Sequence, residues 1–244
     1  MDQEGKIIIE IKNLSKNYGE TKALRGINLQ FKDKEVHTIF GENGSGKSTM
    51  IKILSGIITP SSGEIFFQGN RIMKFEPRFS QMLGIVPVLQ EILVAPNRTV
   101  LDNIFLGYDG MFKRRIPLSK RPIEALYTLD KITQKKINLN EIVGLLPLYQ
   151  KQLIVIARAL LHKPKVLILD EPTSSLDIED RNMLFKEINN LINGGCLVIY
   201  ISHRLDEVLE ISDRVTVLVD GKDVCTIPKA ELTTEAILEN VIKK

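Results

Sequence analysis

Short apolar runs rich in branched residues recur along the chain and are separated by polar, glycine-containing segments. Such runs, bounded by turn residues, predict strands that are buried on both faces of a parallel sheet. The clearest examples are residues 36–40, 166–169 and 197–201. Further strands are expected at 7–11, 24–31, 64–68 and 84–89, with a polar turn at 15–19 joining the first two.

Other segments carry helical or hairpin patterns. Helices are predicted at 48–55 and 148–162, and a closing helix at 234–242. Residues 214–227 predict two strands around a turn at Asp220-Gly221. Strands that alternate with helices indicate an α/β fold. Residues 100–162 show helical periodicity and few strand signals.

The stretch Gly-Glu-Asn-Gly-Ser-Gly-Lys-Ser-Thr lies between a predicted strand and a predicted helix. It matches G-x-x-x-x-G-K-[ST], the pattern of a phosphate-binding loop. Glycines let successive N–H groups face phosphate oxygens, and the helix that follows directs its positive end at the anion. Lys47 would contact the β and γ phosphates, and Ser48 would offer its hydroxyl to Mg²⁺.

The candidate nucleotide-binding residues are the loop and one aromatic. Tyr18, in the turn expected at 15–19, is either a surface aromatic or a ring on which adenine stacks. The phosphate loop makes stacking the better interpretation, because a ring face holds a purine without consuming hydrogen-bond donors. The full set is Tyr18, Gly41, Glu42, Asn43, Gly44, Ser45, Gly46, Lys47, Ser48 and Thr49.

Polar side chains collect where predicted strands end. Asp170 and Glu171 follow the run at 166–169, His203 follows the run at 197–201, and Gln90 ends the run at 84–89. The carboxyl ends of parallel strands form the ligand-binding edge of an α/β sheet. Two adjacent carboxylates there are costly unless a cation or a polar site receives them, and a magnesium nucleotide does so.

These four residues have distinct expected roles. Asp170 would hold Mg²⁺ through water as the second partner of the Ser48 contact, and the Gln90 amide oxygen could reach the ion or the attacking water. Glu171 can orient or deprotonate that water, and His203 would contact the γ-phosphate and keep the water in register. The structural alternatives are a helix-capping role for the carboxylates and a core histidine with satisfied hydrogen bonds.

Bulk properties narrow the class of protein. The 244 residues are 43% hydrophobic and 26% charged, which is ordinary for a soluble globular protein. A net charge of +3 is too small to indicate nucleic acid as the main partner, and the basic residues at 113–115 and 120–121 are interpreted as a solvated face. Cys196 and Cys225 are expected to be buried free thiols in a reducing compartment. We see no signal peptide or membrane span, so we expect a cytoplasmic chain that meets a membrane only through a partner.

The chain resembles the ATPase subunits of ABC transporters over nearly its whole length. The resemblance rests on Tyr18, the loop at 41–49, Gln90, the strand VLILDE, the EPTSSLD turn with Asp177, and His203. It implies an α/β P-loop NTPase fold of the ABC ATPase type, with a mixed sheet core that is RecA-like and an antiparallel β subdomain. It also implies that residues 1–244 are one domain, with a helical subdomain of roughly 91–163 inserted in the core. It also implies ATP and Mg²⁺ as cofactors, and ATP hydrolysis.

Finer features resemble the first ATPase half of monosaccharide importers for ribose, galactose or xylose: EVHTIFGENGSGKST, KILSG, DNIFLG and YISHRLDEV. That branch implies a second ATPase half, fused or separate, that forms a sandwich dimer with this one. It also implies a transmembrane permease, an external sugar-binding protein, and a place on the inner face of the cell membrane. Because the chain ends after one half, we expect an excised N-terminal domain.

One motif departs from the family pattern. Where L-S-x-G-Q is expected before the helix at 148–162, the chain has Leu146-Pro147-Leu148-Tyr149-Gln150. Proline replaces the serine and removes a hydroxyl and an N–H, and tyrosine replaces the glycine that lets the backbone approach a phosphate. In this family that signature binds the γ-phosphate on the opposing half, so we expect hydrolysis only with a partner. Soluble ABC ATPases of ribosomes or DNA, and non-catalytic nucleotide sensors, are the competing interpretations.

Overall fold

The structure is a computed structural model and describes residues 5–109 and 115–242. Two residues of the basic run, Lys113 and Arg114, lie outside the described residues. The chain forms two compact units. The sheet unit comprises Met1–Pro87, Lys165–Asp170 and Leu191–Lys244, and the helical unit comprises Val88–Pro164 and Glu171–Asn190. The range 91–163, expected to form a helical subdomain, falls within the helical unit.

Strands and helices are interspersed along the described chain. The strands are β1 (Ile7–Tyr18), β2 (Thr21–Lys32), β3 (Val36–Phe40), β4 (Ser62–Phe67), β5 (Asn70–Arg71), β6 (Ile85–Val88), β7 (Val166–Asp170), β8 (Leu197–Ile201), β9 (Arg214–Val219) and β10 (Lys222–Pro228). The α-helices are α1 (Lys47–Leu54), α2 (Pro77–Leu83), α3 (Val100–Ile104), α4 (Arg121–Leu129), α5 (Leu148–Leu161), α6 (Ile178–Asn193), α7 (Leu205–Ile211) and α8 (Thr234–Ile242). None of these helices is both long and apolar enough to cross a membrane.

The first sheet has the order β2-β1-β4-β5 and its pairs are antiparallel. The turn expected at 15–19 is wrong, because residues 15–18 continue β1 and pair with β2. Tyr18 pairs with Thr21, so the turn contains only Gly19 and Glu20. Exposed residues of a strand and residues of a turn both face water and are often polar. Composition alone therefore does not distinguish the end of a strand from a turn.

The second sheet has the order β10-β9-β3-β8-β7-β6. Strands β9, β3, β8 and β7 are parallel neighbours, and β10 is antiparallel to β9. Every residue of β3, β7 and β8 is buried, which confirms the strands predicted from unbroken apolar runs. The turn at Asp220-Gly221 is also confirmed; both residues have positive φ, +47° and +78°, as a tight hairpin requires.

An apolar cluster includes Phe40, the last residue of β3. Phe40 packs there with buried residues of α7, β9, β10 and α8, namely Val208, Val215, Val217, Ile227 and Ile237. Cys196 is buried as expected, whereas Cys225 on the edge strand β10 is only partly buried, so the expectation of two buried thiols is wrong for Cys225.

Candidate nucleotide-binding site

Residues 41–46 form a loop whose path depends on glycine. Gly44 and Gly46 have φ of +85° and +106°, a region that side chains disfavour. A Cβ on Gly46 would lie 2.7 Å from the Ala23 carbonyl oxygen. A Cβ on Gly41 would lie 2.3 Å from the Leu218 carbonyl oxygen and 2.6 Å from Ser45 Oγ. Neither position accepts a larger residue without a shift of the backbone.

Lys47 is folded back onto this loop. Its side chain is buried, and Nζ donates hydrogen bonds to the carbonyl oxygens of Gly41 at 2.6 Å and Glu42 at 2.9 Å. Helix α1 starts after Gly46, which has no side chain to cap the first-turn N–H groups. A positive charge and a helix N-terminus therefore converge on one loop, an arrangement that favours an anion.

Ser45 gives an independent indication of a ligand. Its Oγ is buried and finds no hydrogen-bond partner among the described residues. A buried hydroxyl without a partner is uncommon, because leaving it unsatisfied costs about 1–3 kcal/mol. The same loop that places a lysine and a helix N-terminus together thus holds an unsatisfied hydroxyl.

The hairpin turn between β9 and β10 supports the loop. Gly221 N–H donates to the Ser45 carbonyl at 3.1 Å, and Arg25 N–H donates to the Gly221 carbonyl at 2.7 Å. A Cβ on Gly221 would lie 2.7 Å from the Ala23 carbonyl oxygen. Sequence reasoning predicted this turn but missed its role. The Asp-Gly pair signals a hairpin, and nothing local connects it to a loop so much earlier in the chain.

The sheet unit also holds Asp170, Ser48 and His203. Ile39 on β3 pairs with Ile201 on β8, which pairs with Asp170 on β7, so the three strands end level. Asp170 is buried at that edge, Ser48 is exposed in the first turn of α1, and His203 is exposed two residues beyond β8. The sheet topology brings these predicted residues and the loop to the same end of one unit.

Two predicted residues belong to the helical unit. Gln90 is exposed shortly after β6, and Glu171 is partly buried directly after Asp170. Glu171 has φ of +51°, a left-handed conformation that is uncommon outside glycine and concentrates at functional sites. Their participation in the site stays a prediction.

Tyr18 stands at the end of β1 and is 48% exposed. The Lys16 ammonium lies 5.2 Å from the centre of its ring, a cation–π distance. The exposed ring is available for stacking, which also stays a prediction.

The departing signature opens α5 in the helical unit. Pro147 precedes the helix with φ −64° and ψ 160°, and its ring offers no oxygen to cap the first turn. Leu146 is buried, whereas Leu145 and Leu148 are 82% and 61% exposed. The Tyr149 hydroxyl accepts a hydrogen bond from Gln150 Nε2 at 3.2 Å. Apolar and aromatic groups stand where the family pattern has a serine and a glycine.

Lys135 links the Tyr149 ring to the start of α6 within the same unit. Its ammonium lies 4.8 Å from the ring centre, is ion-paired with Asp177, and contacts Asp180 Oδ2 at 2.7 Å. These two carboxylates raise the pKa of Lys135. The Asp180 backbone N–H, which donates to Asp177 at 2.9 Å, and the Lys135 ammonium lower the pKa of Asp177. We call Lys135, Tyr149, Asp177 and Asp180 the lysine cluster; sequence reasoning missed it because no motif joins its members.

Comparison with known proteins identifies the family. Residues 24–174 match the family model described as ABC transporter. The chain belongs to the ABC transporter family. Similar solved structures include a nucleotide-free ATP-binding cassette from an ABC transporter, with 26% identity, a TM-score of 0.83, and coverage of 98% of this chain and 100% of that one. A dimeric ATP-binding cassette bound to ADP and phosphate has 26% identity, a TM-score of 0.83, and coverage of 91% and 99%. The predicted fold class is thereby confirmed.

Curated relatives of this ABC family member are import ATP-binding proteins. A putative ribose/galactose/methyl galactoside import protein of Agrobacterium fabrum is 37% identical, covering 98% of this chain and 47% of its own length. A ribose import protein of Rhizobium meliloti is 38% identical, covering 97% and 45%. A galactose/methyl galactoside import protein of Clostridium perfringens is 37% identical, covering 96% and 45%. The chain therefore spans about half the length of the curated relatives it matches.

Proposed function

We propose that this chain binds ATP with Mg²⁺ and, together with a second ATPase half, hydrolyses it to power sugar import through a membrane permease. The observation that carries the proposal is the loop at 41–46, where the buried Lys47 ammonium, the start of α1 and the unpartnered Ser45 hydroxyl converge. A polyphosphate satisfies all three at once: it pairs with the ammonium and accepts hydrogen bonds from the amides and the hydroxyl.

The residues at the sheet edge fit a magnesium ion. Mg²⁺ prefers oxygen ligands and keeps several waters, and the Ser48 hydroxyl and Asp170 carboxylate are oxygen donors of the same unit. Gln90 is the further candidate ligand. When bound, the ion would neutralise phosphate charge that builds up during phosphoryl transfer.

Other residues of this chain supply the remaining roles in the proposal. Lys47 would leave the loop carbonyls and pair with the β and γ phosphates. Glu171 would orient or deprotonate the attacking water, and His203 would donate to the γ-phosphate and keep that water aligned. Tyr18 would stack on adenine.

In the proposed dimer of ATPase halves, the sequence at the start of α5 makes the two nucleotide sites unequal. Pro147 has neither a hydroxyl nor a backbone N–H, and the Tyr149 side chain would fill the space that a glycine leaves for phosphate. We infer that this chain gives its partner's nucleotide a poor γ-phosphate contact, while its own loop forms the competent site with a signature from the other half. Relatives about twice as long leave room for such a half.

The sugar-import part of the proposal draws on relatives that share about 37% identity and are named for ribose or galactose import. It includes a permease, an external sugar-binding protein, and a cytoplasmic position on the inner face of the membrane. Nucleic acid is not among the proposed partners, since a net charge of +3 gives little attraction to a polyanion. The names of the relatives favour sugar import over a soluble ABC ATPase that acts on ribosomes or DNA, and over a non-catalytic nucleotide sensor.

The first test is Glu171→Gln. The amide keeps the size of the carboxylate but cannot take a proton, so ATP affinity should stay within about twofold while turnover by the paired halves falls by about a hundredfold or more. Calorimetry on the isolated chain measures affinity, and phosphate release from the paired halves measures turnover. Unchanged turnover would remove Glu171 from the base role, and absence of ATP binding by the unsubstituted chain would overturn the whole proposal.

A further inference from the structure

A fully buried glutamate contacts both chain neighbours of the exposed histidine of the sheet unit. Glu207, in the first turn of α7, has no exposed surface. Its Oε2 accepts hydrogen bonds from the Tyr200 hydroxyl at 2.7 Å and from Ser202 Oγ at 3.3 Å. Its Oε1 is 2.9 Å from an Arg204 guanidinium nitrogen. One carboxylate thus binds β8 and the segment that follows it.

The partners of Glu207 flank His203 on both sides. Ser202 precedes the histidine, Arg204 follows it, and the Arg204 backbone N–H donates to Ser202 Oγ at 3.1 Å. The short segment 202–204 is therefore held at both ends, and the His203 residue between them is exposed. A backbone restrained in this way presents the imidazole from a fixed position, and little ordering is left to occur when a ligand binds.

A buried carboxylate is an expensive way to hold a segment. Its desolvation is offset only when the charge is paired and its lone pairs are filled, and a well-packed apolar side chain often stabilises a fold at least as well. Glu207 meets both conditions through Arg204, Tyr200 and Ser202. What a carboxylate provides and an apolar residue does not is directional attachment of the chain on both sides of His203.

We propose that Glu207 is a positioning residue for His203: it fixes the segment 202–204 so that the imidazole is preorganised for the γ-phosphate. The inference rests on the proposed ATP site and deepens it. Because ADP lacks a γ-phosphate, a preorganised His203 should raise affinity for ATP and leave affinity for ADP unchanged.

The test measures the ratio of the ADP and ATP dissociation constants by calorimetry with Mg²⁺, using the full 244-residue chain in a Glu171→Gln background to prevent turnover. His203→Ala should lower the ATP preference roughly tenfold, the loss expected for one hydrogen bond to a charged group. Glu207→Ala should lower it by a similar factor, and Glu207→Gln, which keeps the shape, by less. The His203→Ala/Glu207→Ala pair should lose no more than His203→Ala alone, because a positioning residue acts only through the group it positions.

Controls separate this role from a general effect on folding. Glu210→Gln, an exposed glutamate of the same helix, should leave the ratio unchanged. Thermal unfolding of each variant identifies those that fold poorly, and Glu207→Gln keeps the test valid if Glu207→Ala does not fold. An additive double variant, or a ratio that His203→Ala moves and neither Glu207 variant moves, would overturn the inference alone. A ratio that His203→Ala leaves unchanged would also overturn it, since Glu207 would then position nothing for the γ-phosphate.

Discussion

Helices α1 and α5 begin in opposite ways. Helix α1 follows Gly46, a left-handed glycine at the end of a loop with a buried lysine and an unpartnered hydroxyl. Helix α5 follows Pro147, and the exposed Leu148 and the partly buried Tyr149 form its first turn. Both helices direct the positive end of their dipole outward at this point. At α1 that end is surrounded by glycines, a buried lysine and a hydroxyl without a partner among the described residues, whereas at α5 a proline, a leucine and a tyrosine stand there.

The contrast shows that a helix N-terminus is a phosphate site only when its surroundings make it one. At α1 the glycines keep side chains away from the amides, and Lys47 supplies a charge. At α5, Lys151 of the first turn donates to the Gly144 carbonyl oxygen at 3.1 Å, and a second lysine contacts Tyr149. Lys135 is ion-paired with Asp177 and Asp180, so its charge is neutralised within the helical unit. The partial charge of the dipole alone contributes less than about 1 kcal/mol on an exposed surface.

The largest expected effect comes from removing the charge at α1. Lys47→Ala should weaken ATP binding by about a hundredfold or more, because charge-assisted hydrogen bonds to two phosphates are lost. Lys52→Ala, an exposed lysine near the end of the same helix, should change affinity by less than about twofold. Calorimetry on the isolated chain measures both. If the two variants bound ATP equally well, the distinction between α1 and α5 would lose its electrostatic basis.

Strands with a strong hydrophobic signal could be predicted from the sequence, and regions held by distant contacts could not. The runs at 36–40, 166–169 and 197–201 are buried strands because parallel strands covered on both faces need unbroken apolar residues. The extension of β1 through Tyr18 depends on pairing with β2, and no local pattern indicates it.

The residues of the candidate site also differ in whether the sequence could predict them. The phosphate loop is a local motif, so its glycines, Lys47 and Ser48 were accessible to sequence reasoning. The support from Gly221 joins residues far apart in the chain. The sequence assigned no role to Glu207, and only the fold shows that Tyr200, Ser202 and Arg204 surround its carboxylate.

A second experiment rebuilds the start of α5. Pro147→Ser with Tyr149→Gly returns a hydroxyl, an N–H and an open approach to the helix terminus, so the isolated chain should gain ATPase activity of roughly tenfold or more at protein concentrations that favour self-association. Phosphate release measures the change. Tyr149→Phe, which keeps the ring, should remain at the low starting rate. Brisk hydrolysis by the unsubstituted chain would contradict the view that its signature is deficient.

The smallest expected effect comes from the lysine cluster, which includes Tyr149 in the first turn of α5. Lys135→Ala removes two ion pairs and the cation–π contact with Tyr149. Water limits the loss at the exposed Asp177, and the buried Asp180 keeps its hydrogen bond from Thr133 Oγ1 at 2.7 Å. We expect the melting temperature to fall by about 2–4 °C. Lys136→Ala, an exposed neighbour, should change it by less than about 1 °C.

The difference in melting temperature between the unsubstituted chain and Lys135→Ala should also depend on pH. The pKa of Asp177 is lowered by the Asp180 N–H and by Lys135, so the folded state favours the ionised carboxylate. Stability gained in this way is present above the unfolded pKa and is lost as the pH falls through the folded pKa. The gap in melting temperature between the unsubstituted chain and Lys135→Ala should therefore shrink from about pH 7 to about pH 3. A gap that stays constant over that range would mean that Lys135 stabilises the start of α5 by packing on Tyr149 and not by its ion pair with Asp177.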